Sequence, residues 1–325
     1  MAHFGLSSPI VSNHLTGVVN LSPERPVFLL TATDGSHVVI KQEVKVHAND
    51  GQNMKFALKV IKQVSPTASG KTLRNDEIEV LRGFVEMHEY IADALMKPLN
   101  EDLAYLKVLL GNGGMWFKMD KAEGVISIEK AKAKAAAGDK TDVRTIAAAF
   151  SAPDGLEALG RIIAADLWNG NNDRFTYGGT DNGYRVCQNP GNVLLATQGT
   201  LKPIGLDAYE AMGVFRNYNA TIAQLEGADT WGGRLLANTP AARVELRNFC
   251  QDVIADIEEI LGPRNRKGLG KLGSTRRLPH NAATRLQHGV ISGSLPIRAK
   301  MRQLAARANP PVGLIDRLTI VGWWP

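Results

Sequence analysis

Two strand-like runs that meet at a tight turn dominate the first part of this 325-residue sequence. Residues 26–33 (PVFLLTAT) and 37–46 (HVVIKQEVKV) are rich in β-branched and aromatic side chains, which favour strands. Asp34-Gly35 lies between them, and this dipeptide is a strong signal for a hairpin turn. The sequence therefore predicts an antiparallel sheet in its first part.

The patterns that follow predict more strands and one long helix. FALKVIKQV at 56–64 has the character of a strand, and residues 103–110 and 114–119 have that of a second hairpin around Gly111-Asn112-Gly113. Residues 75–96 carry apolar side chains at alternating steps of three and four, which predicts an amphipathic helix. This part of the chain is expected to be a small sheet with one prominent helix.

Helical patterns dominate after Gly124. Helices are predicted at 127–138, 153–168, 215–226 and 240–261, and short strands at 192–196 and 201–207. The run that starts at Gly262 (GPRNRKGLGKLGSTRR) predicts a flexible connector. The expected class is therefore α+β, with a sheet-rich part at 1–123, a helical part at 124–261 and a basic extension at 262–325.

The composition is that of a globular protein, with 44% apolar and 22% charged residues. Only two cysteines occur, Cys187 and Cys250, so a reducing cytoplasmic compartment is predicted rather than a disulfide framework. No secretory signal is expected, and no segment approaches the roughly 18 apolar residues of a membrane span. The Ser-rich, uncharged start leaves an alternative open, which is secretion as a bacterial effector into a host cell without a conventional signal peptide.

Charge is distributed unevenly along the chain. Residues 262–309 contain eleven Lys or Arg and no Asp or Glu, whereas the rest contains 27 basic and 32 acidic residues. Such a segment is either a solvated region or a docking surface for an acidic protein or an anionic membrane. Nucleic acid is not an expected partner, because no aromatic residues interleave with the charges as stacking platforms. The oligomeric state stays open.

Four polar residues occur in the order that phosphoryl transfer requires. A kinase uses a Lys to steady the nucleotide phosphates, an Asp to orient the attacking hydroxyl, and an Asn and a second Asp to hold Mg²⁺. Here the corresponding residues are Lys41 at the end of VVIK, Asp173 after a helix, Asn192 before an apolar strand and Asp207 at the end of the next one. The two strands are expected to form a hairpin that brings Asn192 and Asp207 together.

A carboxylate on the 75–96 helix is expected to hold the nucleotide lysine. Glu79 is the first candidate, and Glu77 and Glu86 are alternatives because only the apolar stripe indicates how the helix faces. The lysine itself has an alternative as well, since FALKVI places Lys59 in a context closer to that of the lysine in ordinary protein kinases.

Two neighbours of Asp173 are expected to support its loop. Arg174 is predicted to be structural and to pair with a carboxylate in the same loop, and Asp166 on the preceding helix is a candidate supporting residue of the site. The asparagines around Asp173 are typical of a loop that holds a carboxylate in place.

The runs NNDRF, NPGNVLL and PIGLD resemble the catalytic region of the actin-fragmin kinase family, an atypical branch of the protein kinase fold whose site is related to that of phosphoinositide kinases. The resemblance is close over 166–207 and loose over 26–207. It implies a two-lobed kinase-like fold with ATP and Mg²⁺ as cofactors. It also implies that Asp173 is the catalytic acid, that Asn192 and Asp207 are metal ligands, and that Lys41 is the nucleotide lysine.

Two further segments are assigned by their position in such a fold. The turn at Gly35 and Ser36 would offer backbone amides to the phosphates, since no glycine-rich loop is visible. Met119, Asp120 and Ala122 would connect the two parts of the chain and offer backbone groups to an adenine ring.

The expected activity is transfer of the γ-phosphate of ATP to a Ser or Thr hydroxyl of a protein, with actin or another host protein as a candidate. A phosphoinositide or small-molecule kinase, a nucleotidyltransferase and a nucleotide-binding protein without transfer activity are alternatives on the same fold. A further alternative is a P-loop NTPase, because SPTASGKT at 65–72 nearly matches the phosphate-binding loop with Gly70, Lys71 and Thr72. The first glycine of that loop is replaced by Ser65.

Overall fold

The computed structural model describes residues 4–5, 8–22, 25–43, 50–65, 70–121, 124–171, 173–175, 192–196, 202–204, 232–262, 277–310 and 312–324. The chain divides into two compact units. Unit 1 contains residues 1–58 and 68–122, and unit 2 contains 59–67 and 123–325. The mixture of helices with an antiparallel sheet confirms the predicted α+β class.

Unit 1 is built on an antiparallel sheet. Its strands are β1 (Leu15–Asn20), β2 (Val27–Ala32), β3 (His37–Glu43), β4 (Gly70–Thr72) and β5 (Met115–Met119), in the spatial order β1-β2-β3-β5-β4. β2 and β3 form the predicted hairpin, with Val27 opposite Lys41 and Thr31 opposite His37. Gly35 has a φ of 78° at the turn, a conformation that glycine adopts without steric cost.

Two segments that were predicted as strands are helices. Helix α1 (Asp50–Val64) replaces the strand predicted at 56–64, and α3 (Glu101–Gly111) replaces the one predicted at 103–110. In α1 apolar side chains are buried on more than one side of the helix, because Phe56, Ala57 and Leu58 are all buried, so the apolar period alone does not distinguish this helix from a buried strand. In α3 the Asn100 side chain caps the first turn by accepting from the amides of Asp102 and Leu103. The predicted long helix is confirmed as α2 (Asn75–Ala94).

The two faces of the sheet have different neighbours. Phe28, Leu30, Ile40 and Trp116 share one core cluster with buried side chains of α2 and α3, and this face is called the helix-covered face. Successive side chains of a strand point to opposite faces, and directly paired residues point to the same face. Because Ile40 pairs with Lys118, Lys118 lies on the helix-covered face. Lys41 pairs with Phe117 and therefore lies on the opposite face.

Unit 2 contains most of the helices and a second, small antiparallel sheet. The sheet has the order β6 (Val125–Ser127), β7 (Leu194–Ala196) and β8 (Lys202–Ile204). The pairing of Leu194 with Ile204 confirms the hairpin that was predicted for 192–196 and 201–207. Among its described residues the helices are α4 (Ile128–Ala136), α5 (Thr141–Ser151), α6 (Gly155–Asn169), α7 (Pro240–Leu261), α8 (Ala282–Ala305) and α9 (Val312–Ile320), with a 3₁₀ helix at Gly232–Leu236. The helix predicted at 215–226 and most of the connector at 262–277 lie outside the described residues.

Helices α6 and α8 approach each other closely enough for their backbones to touch. A methyl group on Gly160 of α6 would lie 2.3 Å from the carbonyl oxygen of Leu286, and one on Gly289 of α8 would lie 2.3 Å from that of Glu157. Only glycine fits at such distances. The sequence set residues 262–325 apart as an extension, whereas the structure packs α8 from that region directly against α6.

Among the described residues, no helix is both long enough and apolar enough to cross a membrane.

We expect Gly160→Ala to lower the free energy of unfolding, because the added methyl group overlaps the backbone of α8. Overpacking of this kind costs about 1–3 kcal/mol. Gly83→Ala is the matched control, since Gly83 lies in helix α2 and a methyl group there would meet no atom within 4 Å. The control should raise stability by about 0.5–1 kcal/mol through helix propensity.

Urea unfolding followed by far-ultraviolet circular dichroism measures both changes. An unfolding midpoint for Gly160→Ala equal to that of the unmodified protein would show that the two helices do not meet backbone to backbone.

Candidate functional site

The loop that carries Asp173 begins where helix α6 ends. Gly170 stops the helix in the left-handed conformation, with a φ of 67°, and its N–H faces the carbonyl groups of Asp166 and Leu167. The backbone N–H of Asn171 then donates to the carbonyl oxygen of Asp166 at 2.9 Å. The abrupt change from apolar to polar residues in DLWNGNNDRF is therefore a helix end that folds back on its own last turn.

A buried ion pair closes this loop. The Arg174 guanidinium donates from Nε to Oδ2 of Asp166 at 2.8 Å and from Nη2 to Oδ1 at 2.7 Å. The side chains of Arg174 and Asp166 are only 1% and 2% exposed, and the Asn171 side-chain amide adds a hydrogen bond to Oδ1 at 3.0 Å. Burial raises the pKa of the Asp166 carboxyl, and Arg174 and Asn171 act in the opposite direction. Arg174 pairs with a carboxylate as predicted, but that carboxylate lies on α6 and not in the loop.

Asp173 is held on two sides. Its backbone N–H donates to Oδ1 of Asn171 at 3.3 Å, and its carboxylate oxygen Oδ2 accepts from the side-chain amide of Asn192. Asn192 is buried and lies just before β7, nineteen positions after Asp173 in the chain. Two residues that the sequence assigned to one site are thus in direct contact. The name Asp173 cluster is used below for Asp166, Asn171, Asp173, Arg174 and Asn192.

The second predicted metal ligand, Asp207, lies outside the described residues. β8 ends at Ile204, which pairs with Leu194, the first residue of β7, so β7 begins and β8 ends at the same end of the small sheet. Asn192 lies two residues before the start of β7, and Asp207 lies three residues after the end of β8.

The predicted ion pair between Lys41 and Glu79 is not formed. The Lys41 ammonium lies 2.5 Å from a carboxylate oxygen of Glu43, its neighbour on the same face of β3, and 5.9 Å from the centroid of the Phe117 ring. Glu79 is exposed on α2 and pairs with Arg82 at 2.9 Å. The physical reason is the alternation of β3, which turns Lys41 away from the face that α2 covers.

A different Lys–Glu pair joins α2 to the sheet. The Lys118 ammonium on β5 lies 2.7 Å from Oε1 of Glu77, and both side chains are at most 4% exposed. Lys118 also donates to the carbonyl oxygen of Ser8 at 2.5 Å, and the amides of Ile10 and Arg74 donate to Glu77 at 3.0 Å each. The name Lys118 cluster is used below for these five residues.

The sequence contained part of the signal for the Lys118 cluster. Glu77 is among the predicted partners of the nucleotide lysine, but Lys118 is not among the predicted site residues. In MWFKM the alternation places Lys118 on the same face as Trp116, so a charged residue on an apolar face was visible. Which face α2 covers depends on strand register and packing, which no local pattern shows.

The net pKa of the Glu77 carboxyl is lower than its ordinary value of 4.5. Burial is the largest single influence and raises this pKa, but the amides of Arg74 and Ile10 and the Lys118 ammonium together outweigh it. The folded protein therefore holds Glu77 as a carboxylate.

The turn at Gly35 and Ser36 does not offer free amides to a phosphate. The Ser36 N–H and hydroxyl both donate to the Asp34 carboxylate, at 2.9 and 2.6 Å. The Gly35 N–H donates to the carbonyl oxygen of Ala32 at 2.9 Å. The turn satisfies its own donors and carries a negative charge, so the predicted role of Gly35 and Ser36 in phosphate binding does not fit this geometry.

The predicted connection lies at the end of β5. Met119 is the last residue of that strand and pairs with Val39 of β3 and Gly70 of β4, so its backbone lies inside the sheet. Asp120 follows the strand directly, and Ala122 lies outside the described residues.

The near-match to a phosphate-binding loop is not supported by the fold. Gly70, Lys71 and Thr72 form strand β4, which pairs with β5. A P-loop would need these residues at the start of a helix that follows a strand. The element before them is helix α1, so the order of elements is reversed.

The Asp173 cluster offers oxygen atoms to a hard cation. Mg²⁺ prefers carboxylate and amide oxygens, which Asp173 and Asn192 carry side by side. Asn192 therefore suits one position in the ligand set of the metal that the sequence implies. Within the described residues, no group of three or more His, Cys, Asp or Glu side chains is placed to hold a metal ion.

Comparison of the chain with protein-family models and with curated proteins gives no match. The functional assignment consequently depends on the geometry of the chain's own residues.

We expect Arg174→Met to lower the free energy of unfolding by about 3–5 kcal/mol, because Asp166 would stay buried without its counter-ion. Replacing both partners, as in Asp166→Leu/Arg174→Met, should restore part of that loss, since no unpaired charge remains. Chemical unfolding of the two variants and the unmodified protein measures both effects.

Arg144→Met is the control for this experiment, because Arg144 is exposed on α5. Its effect should stay within about 0.5 kcal/mol. Equal stability of Arg174→Met and Arg144→Met would contradict a stabilising role of the buried pair.

We expect Glu77→Gln to destabilise the protein at pH 7 by about 3–5 kcal/mol, because Lys118 would lose its counter-ion in a buried position. The pKa of Glu77 is lowered by folding, so its contribution is complete above pH 4.5 and is lost as the pH falls below that value. The variant should therefore lose less additional stability than the unmodified protein between pH 7 and about pH 3.

Unfolding free energies of the variant and the unmodified protein, measured across this pH range, test this prediction. Glu79→Gln is the matched control on the same helix, and its exposed pair with Arg82 should be worth no more than about 1 kcal/mol. A pH dependence unchanged in Glu77→Gln would contradict the assigned role.

Proposed function

We propose that the protein is an ATP- and Mg²⁺-dependent kinase with a two-lobed, protein-kinase-like fold, which transfers the γ-phosphate to a Ser or Thr hydroxyl of a protein. The observation that carries this proposal is the contact between Asp173 and Asn192. Kinases place a catalytic Asp and a metal-binding Asn in one site. Here an Asp and an Asn that are nineteen positions apart in the sequence form a side-chain hydrogen bond.

The environment of Asp173 suits a residue that orients a hydroxyl. Its backbone is fixed by Asn171 and its oxygen Oδ2 by Asn192, so the direction of the carboxylate is set before any substrate arrives. The carboxylate is partly exposed, whereas the neighbouring Asp166 is buried and engaged by Arg174. A positioned carboxylate can accept the proton of an attacking hydroxyl, and such positioning is a large part of catalysis in phosphoryl transfer.

Asn192 would hold Mg²⁺ through its side-chain oxygen Oδ1, because its amide nitrogen already donates to Asp173. Asp207 is proposed as the second ligand from its place after β8 in the sequence. The metal would supply charge neutralisation for the transferred phosphoryl group.

Lys41 is the residue proposed to bind the nucleotide phosphates. It lies on the third strand of an antiparallel sheet, as the corresponding lysine of protein kinases does. Glu43 on the same strand takes the place of a helix carboxylate as its partner. Lys59 is not proposed for this role, because the strand predicted for it is helix α1. Lys118 is not proposed either, because Glu77 and the carbonyl oxygen of Ser8 enclose its ammonium group.

The basic residues of 262–309 support a protein acceptor with an acidic surface. Arg277 and Arg285 donate to backbone carbonyls within unit 2 and have structural roles. Arg307 is exposed just after the C-terminal end of α8, where it is available to an acidic partner. Binding of such a partner would weaken as the salt concentration rises.

We expect γ-labelled ATP with Mg²⁺ and a cell lysate to label acceptor proteins, and α-labelled ATP to leave them unlabelled. Asp173→Ala should reduce the rate at least about hundredfold, because it removes the group that accepts the proton. Asp252→Ala is the matched control, since Asp252 is exposed on α7 outside the Asp173 cluster. Its rate should equal that of the unmodified protein.

Two lysine variants extend the experiment to unit 1. Lys41→Met should abolish labelling, whereas Lys118→Met should lower the unfolding midpoint. Labelling from α-labelled ATP would indicate a nucleotidyltransferase instead of a kinase. Label in the lipid fraction would indicate a phosphoinositide acceptor instead of a protein. Equal activity of Asp173→Ala and Asp252→Ala would overturn the proposal.

A further inference from the structure

Unit 2 contains a cavity on the side of α8 that faces α7 and the 3₁₀ helix. Its volume is about 310 Å³, and Trp323 near the end of the chain forms part of the wall. Leu235, Leu246 and Val290 line it and are almost completely buried, so this part of its wall is apolar. A volume near 300 Å³ lies at the small end of the range for natural ligand pockets.

Two arginines belong to the lining of this cavity. Arg243 and Arg298 both line it, and the described residues that line it include no Asp or Glu. Arg243 is fixed by a hydrogen bond from Nη2 to Oδ1 of Asn238 at 2.6 Å, and Gln287 donates to the Arg243 carbonyl at 3.0 Å. Within the described part of the chain, the half-buried Arg298 makes no hydrogen bond or ion pair. One guanidinium is thus positioned and the other is available.

Apolar side chains continue from the cavity to the surface of α8. Ile291 and Leu295 line the cavity one helical turn apart and are 43% and 59% exposed. Exposed apolar side chains therefore belong to the same lining as Arg298. A ligand that fits has an apolar body and one anionic end.

We propose that this cavity binds a small amphipathic carboxylate, such as a medium-chain fatty acid. Its chain would lie against Leu235, Leu246 and Val290, and its carboxylate would meet Arg298. A guanidinium matches the two oxygens of a carboxylate with parallel N–H groups, which selects this group over an alcohol or an ammonium. The binding itself does not depend on the proposed kinase activity.

The wall of the cavity is shared with the helix that leads to the Asp173 cluster. Trp323 stacks on Trp168, with ring centroids 5.0 Å apart and planes 8° from parallel. Trp168 lies in the last turn of α6, and its carbonyl oxygen accepts from Nη1 of Arg317 at 2.8 Å. A ligand that touches Trp323 is therefore one aromatic contact away from α6, and it should alter tryptophan fluorescence.

Calorimetric titration with sodium decanoate, paired with tryptophan fluorescence, tests the proposal. We expect saturable binding of one decanoate per chain, and much weaker binding of decanol and decyltrimethylammonium, which share its chain but lack the carboxylate. Arg298→Gln should weaken decanoate binding about tenfold, which is the effect of losing a hydrogen-bonded charge. Ser294→Leu should also weaken it by filling the cavity, since Ser294 lines the wall and is buried.

Arg302→Gln is the matched control, because Arg302 lies one turn further along α8 and is exposed outside the cavity. It removes the same charge and should leave the affinity unchanged. The proposal is overturned by the absence of saturable decanoate binding, by equal affinities of Arg298→Gln and Arg302→Gln, or by decyltrimethylammonium binding as tightly as decanoate.

Discussion

The buried ion pair between Asp166 and Arg174 is the contact on which the candidate site depends. Taking two charges out of water is costly, and the structure offsets the cost with two short hydrogen bonds from Arg174 and one from Asn171. The pair joins the last turn of α6 to the residue directly after Asp173, so the loop between them is closed at both ends. The position of Asp173 is therefore a consequence of an interaction in which its own side chain does not take part.

That arrangement requires α6 itself to be fixed, and this is what the glycines of α6 and α8 accomplish. With Gly160 and Gly289 at the crossing, the two backbones lie in contact, and a displacement of α6 would lose packing along the length of the interface. The stack of Trp168 on Trp323 and the hydrogen bond from Arg317 hold the last turn from the same side. The C-terminal region, which composition alone had set apart, thus supports the helix that leads to Asp173.

The parts of this fold that the sequence predicted are those with strong local signals. The β2–β3 hairpin has a turn dipeptide between two β-branched runs, and α7 begins at Pro240 and ends at Leu261, as its long apolar period and its flanking residues indicate. The segments α1 and α3 were assigned wrongly because a short apolar run fits a buried strand as well as a helix. Asp166, Arg174 and Asp173 could be grouped from sequence because they are neighbours in the chain. The Lys118 cluster could not, because its members are joined only by the register of the sheet and by the packing of α2.

The alternation of the sheet also decides what each lysine of unit 1 can do. Lys118 points to the helix-covered face, where Glu77 and the Ser8 carbonyl enclose its ammonium, and its charge is used to hold α2 and the N-terminal segment to the sheet. Lys41 follows Ile40, the residue that pairs with Lys118, and therefore points to the other face of the sheet. There it pairs with Glu43, which lies on the same strand. A lysine tied to another element cannot reach a ligand without loosening that element. Lys118 therefore has a structural role, whereas Lys41, on the opposite face of the sheet, is the lysine for which phosphate binding is proposed.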